Sequence, residues 1–450
     1  MDFFDTICAI STPLGSGGIS VIRISGKDSL KIAEKMIDRP VSDLVDRQLV
    51  LTNVKGKGFV DRALVVYYKA PKTYTGEDVV EFQCHGGMYL AQGILDECVL
   101  SGARLAQNGE FTKRAFLNGK ISLDGAEGVI DMINAETESA VRAGYDLLNG
   151  ELKKRVKVLQ SSLTDIFAEI EVSLDYPEES IEFSSREQIK TWLTECVNNI
   201  DKLIETFVTG NLVKNGVRCA IVGAPNVGKS STMNSLLGYS RAIVTDIAGT
   251  TRDTLEESFV YKTIKFNLID TAGIRKSDDI IEKIGIERAY DNLKSADIIL
   301  FIIDSTKDLS DEYKSLLYSL KGKKVLVCFN KMDIAGDITS LKECVKDFEY
   351  IKISAKNENG IDELKEKLFS MVINQGITNG FMITSTRHKD LLVKAKKSLI
   401  NALKGIDSNV DLDLINIDVV DAWNYIGEIT GESMPEDRIN TIFDKFCLGK

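Results

Sequence analysis

Four short motifs in fixed order constrain this chain more than any other feature: Gly-Ala-Pro-Asn-Val-Gly-Lys-Ser at 223–230, Asp-Thr-Ala-Gly at 270–273, Asn-Lys-Met-Asp at 330–333 and Ser-Ala-Lys at 354–356. Apolar, β-branched runs at 217–222, 264–269, 298–303 and 325–329 read as strands of a mainly parallel sheet, and motifs follow directly on the first, second and fourth. Ligands of such sheets gather at the carboxyl ends of the strands. The spacing therefore predicts a P-loop domain in which separate loops converge on one nucleotide.

The chemistry of the motifs narrows the nucleotide. The backbone N–H groups of Asn226, Val227, Gly228 and Ser231 and the start of a helix can cradle a polyphosphate, Lys229 reaches its β/γ end, and Ser230 suits Mg²⁺. Asp333 can accept from N1–H and the 2-amino group of guanine. Adenine would leave that carboxylate unpaired, at a cost of roughly 2–5 kcal/mol, which argues against an ATPase. Asn330, Lys331, Ser354, Ala355 and Lys356 complete the base side.

Between the phosphate loop and Asp270 runs a second loop, Thr245-Asp246-Ile247-Ala248-Gly249-Thr250-Thr251-Arg252-Asp253, of which Thr251 is the better Mg²⁺ ligand. Thr250 and Arg252 fit ordinary loop polarity equally well. Asp270 reaches Mg²⁺ through water, and in Asp270-Thr271-Ala272-Gly273 the last N–H senses the γ-phosphate. The next residue is Ile274, where a Ras-like GTPase carries a water-orienting Gln. Another group must supply that role. Glu282 either acts through a bridging water or is an acid favoured by a helix start.

The remainder is bounded by composition. At 450 residues and 44% apolar the chain predicts about three domains. Its formal net charge of −11 argues against unspecific wrapping of nucleic acid and leaves room for a local basic patch. Eight cysteines without paired spacing predict reduced thiols, and no run has the length of a membrane span. The expectation is a soluble, cytoplasmic protein with no membrane partner.

Runs at 19–24, 63–68 and 79–84 with a helix at about 89–101 predict an α+β domain at the N-terminus. Ser16-Gly17-Gly18 and His85-Gly86-Gly87 are either turns or places of close backbone approach to a ligand. Arg23 and Glu81 sit in alternating strands. They are either solvated or able to bind a heterocycle bearing amide and carboxylate groups. Farther on, Leu152, Val156, Leu159, Leu163, Ile166 and Ile170 mark one long helix, and Trp192, Cys196, Ile200, Leu203 and Phe207 a second. Helical spacing resumes at Leu392, Ala395, Leu399 and Leu403 and again at Val419, Trp423 and Ile426, so the P-loop domain is inserted into a discontinuous helical one. The boundaries read as 1–120 for the α+β domain, 121–212 and 376–450 for the helical parts, and 213–375 for the insert.

These features resemble one family over the whole chain. Gly-Gly-Ile-Ser-Val-Ile-Arg-Ile-Ser-Gly at 17–26, Tyr-Thr-Gly-Glu-Asp at 74–78, Gly-Glu-Phe-Thr-Lys-Arg-Ala-Phe-Leu-Asn-Gly-Lys at 109–120, Ala-Gly-Thr-Thr-Arg-Asp at 248–253 and the final Phe-Cys-Leu-Gly-Lys are similar to the bacterial and organellar tRNA-modification GTPases known as MnmE or TrmE. The resemblance implies a homodimer through the N-terminal domain, which binds formyl-tetrahydrofolate by Arg23, Glu81, Lys120 and Lys450. It also implies a K⁺-stimulated GTPase with K⁺ at Asn226, Thr245, Ile247 and Thr250, transient G-domain dimerisation, and water orientation by Glu282. An FAD-dependent MnmG-type partner would share the modification of C5 of the wobble uridine, position 34, in certain tRNAs, with the folate supplying the one-carbon unit. Cys447 is either a bystander in a loose tail or a thiolate assisting that chemistry. A ribosome-assembly or regulatory GTPase is the alternative reading of the same G motifs.

Overall fold

The computed structural model describes residues 5–175, 186–238, 257–270, 293–373, 380–444, 446, 447 and 449. The chain forms two compact units: Met1–Ile130 with Asp146–Asn199 and Leu391–Lys450, and Asp131–Tyr145 with Ile200–Asp390.

The first unit opens with six strands, β1 (Ile7–Ile10), β2 (Ile19–Ser25), β3 (Leu49–Gly56), β4 (Phe59–Tyr68), β5 (Val79–His85) and β6 (Arg104–Leu105). They lie in the order β3-β4-β5-β2-β1-β6, antiparallel throughout except for β1 beside β6. Period-2 alternation sends Ile22, Ile24, Val80, Phe82 and Cys84 into a core with Ile32, Met36, Ile94 and Cys98 of helices Ser29–Met36 and Met88–Leu100. β3 carries little alternating signal because its two leucines face outward while a threonine and a glycine take inward positions. Leu49 and Leu51 are 56% and 44% exposed, while Thr52 and Val54 turn inward.

In the same unit, helix Glu151–Asp175 buries Leu152, Val156, Leu159, Leu163, Ile166 and Ile170, as the spacing predicts, and packs on helix Leu412–Thr430. Trp423 Nε1 donates to Thr164 Oγ1 at 3.2 Å between these two helices. Helix Arg186–Glu205 corrects one expectation. Trp192 is 36% exposed, and the buried stripe starts at Ile189 and Leu193 before running through Cys196 and Ile200. Phe207 begins a separate helix, Phe207–Asn215, which belongs to the second unit.

The second unit holds β7 (Val217–Val222), β8 (Glu257–Tyr261), β9 (Ile264–Asp270), β10 (Ile298–Asp304), β11 (Val325–Asn330) and β12 (Glu349–Lys352), in the order β12-β11-β10-β7-β9-β8. Every pairing is parallel except β8 with β9. Alternate residues of the central strands feed two cores. Cys219, Ile221, Leu300, Ile302 and Cys328 share one with Leu364 and Leu368 of helix Ile361–Ile373. Ala220, Val222, Phe301, Val327 and Phe329 share the other with Leu317 and Leu341. Burial on both faces is why these strands read as continuous apolar runs. Among the described residues no helix is long and apolar enough to cross a membrane.

Candidate nucleotide and ligand sites

Strand β7 delivers the phosphate loop, and helix Lys229–Leu237 starts immediately after it. Gly228 sits at φ 98°, and a Cβ there would run into Asn330 Nδ2, so backbone and packing both demand glycine. Lys229 Nζ donates to the carbonyls of Gly223 at 2.9 Å and Ala224 at 3.1 Å, which holds the ammonium over the loop. Asn226 lies exposed at φ 63°, and Ser230 and Ser231 are exposed on the first helical turn.

The base-side loops are tied to this loop by hydrogen bonds. Asn330, 2% exposed at the end of β11, donates from Nδ2 to the carbonyl of Val227 at 2.8 Å and accepts from the N–H of Ala355 at 3.0 Å. One buried side chain thus joins three of the motifs. Ser354 Oγ donates to Asp333 Oδ1 at 2.7 Å and steadies the exposed carboxylate, while Lys356 stays exposed beside it in sequence. Lys331 Nζ donates to the carbonyl of Asn226 at 2.8 Å and to Asp304 Oδ2 at 2.6 Å.

Asp304 escapes motif reading because it closes β10 outside all four motifs. Burial works to raise its pKa, but the hydrogen bonds from Lys331 and Thr306 and the Lys331 charge outweigh it and hold the carboxyl below the usual range. It positions Lys331. A signal was present in Asp304-Ser305-Thr306, since the carboxylate accepts from both the N–H and the hydroxyl of Thr306 in a local turn. Asp270 ends β9. Thr245, Asp246, Ile247, Ala248, Gly249, Thr250, Thr251, Thr271, Ala272, Gly273, Glu282 and Lys450 lie outside the described residues.

In the first unit, Arg23 and Glu81 are direct cross-strand partners. Arg23 Nε donates to Glu81 Oε1 at 2.8 Å, and with side chains only 21% and 12% exposed the pair is not solvated. Both line a cavity of about 320 Å³ together with Arg47, Tyr68, Lys72, Thr73, Tyr74 and Val79. The Arg23 guanidinium lies 5.9 Å from the ring centre of Tyr74 and 5.7 Å from that of Phe111. Tyr74 in turn shares a 2.8 Å hydrogen bond with Thr112 Oγ1. Lys120 Nζ donates to the carbonyl of Pro71 at 2.7 Å, next in sequence to Lys72.

Beside this cavity lies a charge network that the sequence reading did not find. Arg114, almost fully buried, donates to Asp5 Oδ1 at 2.5 Å, Glu110 Oε1 at 3.0 Å and Glu77 Oε1 at 3.1 Å, and Arg104 bridges Asp5 and Glu110. Gly86 makes a close approach of backbone to backbone, since a Cβ there would collide with the carbonyl of Gly17, whereas a Cβ on Gly18 or Gly87 would meet nothing within 4 Å. The tail is held. Phe446 is buried against Phe443, the N–H of Gly109 donates to the carbonyl of Cys447 at 3.3 Å, and Ser11 Oγ donates to that of Gly449 at 3.2 Å. The Cys447 side chain stays exposed, and all eight cysteines are free thiols.

A phosphate loop, a guanine-type Asn-Lys-Met-Asp loop and a mainly parallel sheet define a P-loop GTPase domain, carried in a chain that also has an antiparallel-sheet domain and long helices. Residues 123–447 match the family model described as the MnmE helical domain, and residues 6–120 match that of the GTP-binding protein TrmE N-terminus. The chain is 43% identical over 455 residues to the tRNA modification GTPase MnmE of Clostridioides difficile (strain 630), covering 99% of each chain. The MnmE of Lactobacillus gasseri is 42% identical over 99% of this chain and 98% of its own, and that of Acetivibrio thermocellus 40% identical over 99% of each. The chain belongs to the MnmE (TrmE) family of tRNA modification GTPases.

Proposed function

We propose that this protein is a cytoplasmic, K⁺-stimulated GTPase that modifies C5 of the wobble uridine of certain tRNAs together with an FAD-dependent partner, using a one-carbon unit from formyl-tetrahydrofolate. The observation that carries the reading is full-length family membership combined with a phosphate loop already tied by Asn330 to both base-side loops. Its domains divide at 1–120, 121–212, 213–375 and 376–450.

In this reading Asn226 to Ser231 and Lys229 grip the phosphates, and Asp333 reads guanine, with Asn330, Lys331, Ser354, Ala355 and Lys356 completing the base pocket. Ser230 and Thr251 hold Mg²⁺, which offsets phosphate charge. The exposed hydroxyl of Ser230 on the turn after Lys229 suits that ion. K⁺ sits at Asn226, Thr245, Ile247 and Thr250. The exposed position of Asn226 leaves its side-chain oxygen available for a monovalent cation. Glu282 orients water where Ile274 cannot. Two copies join through the N-terminal domain, and their G domains pair transiently to order the switch loops.

The Arg23–Glu81 pair forms the floor of the folate site: Glu81 accepts pterin N–H groups, Arg23 donates to a ring oxygen, and Lys120 and Lys450 approach the anionic part. Cys447 is the one thiol exposed beside backbone anchored at Gly109 and Gly449. Nucleoside analysis of wobble positions after deletion of the gene tests the reading. Loss of the C5 modification is expected, and an unchanged profile would leave a regulatory or ribosome-assembly GTPase.

A further inference from the structure

We propose that the mouth of the N-terminal cavity selects for the tail of its ligand, with Arg47 and Lys72 favouring a reduced folate that carries a poly-γ-glutamyl chain over the monoglutamyl form. This rests on the folate reading above.

Floor and mouth of the cavity differ in charge. At the floor Arg23 and Glu81 neutralise each other at 2.8 Å, and the Tyr68 hydroxyl lies 3.5 Å from Glu81 Oε2. That surface offers matched donors and acceptors to a planar heterocycle without net charge. At the mouth Arg47 and Lys72 are both exposed. They share one rim, because Arg47, at φ 63°, donates from Nη2 to the carbonyl of Lys72. Lys120 Nζ bonds the preceding carbonyl, Pro71, and adds a third cation. Two carboxylates lie along the same segment: Asp46, paired with Arg47 Nη1 at 3.1 Å and accepting from the N–H of Lys69 at 2.8 Å, and Asp78, whose Oδ1 accepts from the N–H of Ala70 at 2.8 Å and from the Tyr67 hydroxyl at 2.9 Å. Positive charge is in excess on this rim, within a chain of net charge −11.

Size points the same way. About 320 Å³ lies at the small end of ligand pockets. It encloses a bicyclic ring and leaves the aminobenzoyl-glutamate portion to pass out across the rim. Each added γ-glutamyl unit contributes one carboxylate there, so the cations meet successive charges of an extended chain. The pairs are solvent-exposed, so each one adds little and salt weakens it.

The test is calorimetric titration of the full-length protein with monoglutamyl and pentaglutamyl formyl-tetrahydrofolate at low and physiological salt. The pentaglutamyl form is expected to bind roughly tenfold tighter at low salt, with the advantage shrinking as salt rises. Combining Arg47→Ala with Lys72→Ala should bring the two forms within about twofold, whereas Arg47→Lys, which keeps the charge, should retain most of the preference. Equal affinity for both forms in the unaltered protein, or a preference that survives the double substitution, overturns the assignment. If neither folate binds, the folate reading itself falls and this inference goes with it.

Discussion

Asn330→Ala is the sharpest probe of the nucleotide site, because one side chain of known burial holds two loops. The amide is 2% exposed and makes hydrogen bonds of 2.8 Å to the Val227 carbonyl and 3.0 Å from the Ala355 N–H. Truncation orphans one buried acceptor and one buried donor at about 1–3 kcal/mol each, so the assembled arrangement loses roughly 2–6 kcal/mol. If the loops relax to find water, they leave the geometry that the nucleotide requires, and the cost reappears as lost affinity. Even the lower figure corresponds to about a thirtyfold rise in Kd. Asn330→Asp serves as an isosteric comparison. It keeps the bond from Ala355 but sets a carboxylate against the Val227 carbonyl, so it should also weaken binding. Fluorescent GDP titration measures both, with circular dichroism confirming that the chain is folded. An Asn330→Ala protein that binds GDP within threefold of the unaltered one would refute the inference that this amide joins the loops.

If Asp333 is the acceptor for two guanine donors, Asp333→Asn substitutes an amide suited to the C2 oxygen of xanthine, so competition assays should show weaker GTP and stronger XTP binding. Unchanged nucleotide preference would remove Asp333 from base recognition. Glu282→Ala should lower kcat with GTP affinity nearly intact, as measured by single-turnover hydrolysis beside equilibrium binding; a proportionate loss of affinity would make it architectural. In the N-terminal network burial opposes ionisation of Asp5 and Glu110, but hydrogen bonds and charge from Arg104 and Arg114 prevail and hold both carboxyls below their usual range. Depressed folded-state values mean that this stabilisation is complete above the unfolded carboxylate range, near pH 4, and is lost as pH falls through the folded values. Urea midpoints should therefore drop on acidification below about pH 4, and Glu110→Gln should flatten that slope. A midpoint independent of pH in that window would contradict the network.

What the sequence by itself determined is the part governed by local chemistry. β7, β9, β10 and β11 were legible because strands buried on both faces must be apolar at every position, and their loops because phosphate and guanine admit few side chains. Helix Glu151–Asp175 was legible from its stripe. Tertiary structure decided the rest. β1 is four residues long and β6 two, too short to carry a period, and β3 turns its leucines outward, so its strand character comes from pairing with β4. Trp192 was assigned to the wrong side because a helical stripe shifted by one residue still reads as apolar. Asp304 acquires its role from Lys331, 27 residues away, and Arg114 from Asp5, 109 residues away. The register between β2 and β5 sets Arg23 against Glu81, and the fold sets Arg47 beside Lys72. Such pairings depend on which distant backbones meet, and no local propensity or spacing carries that information.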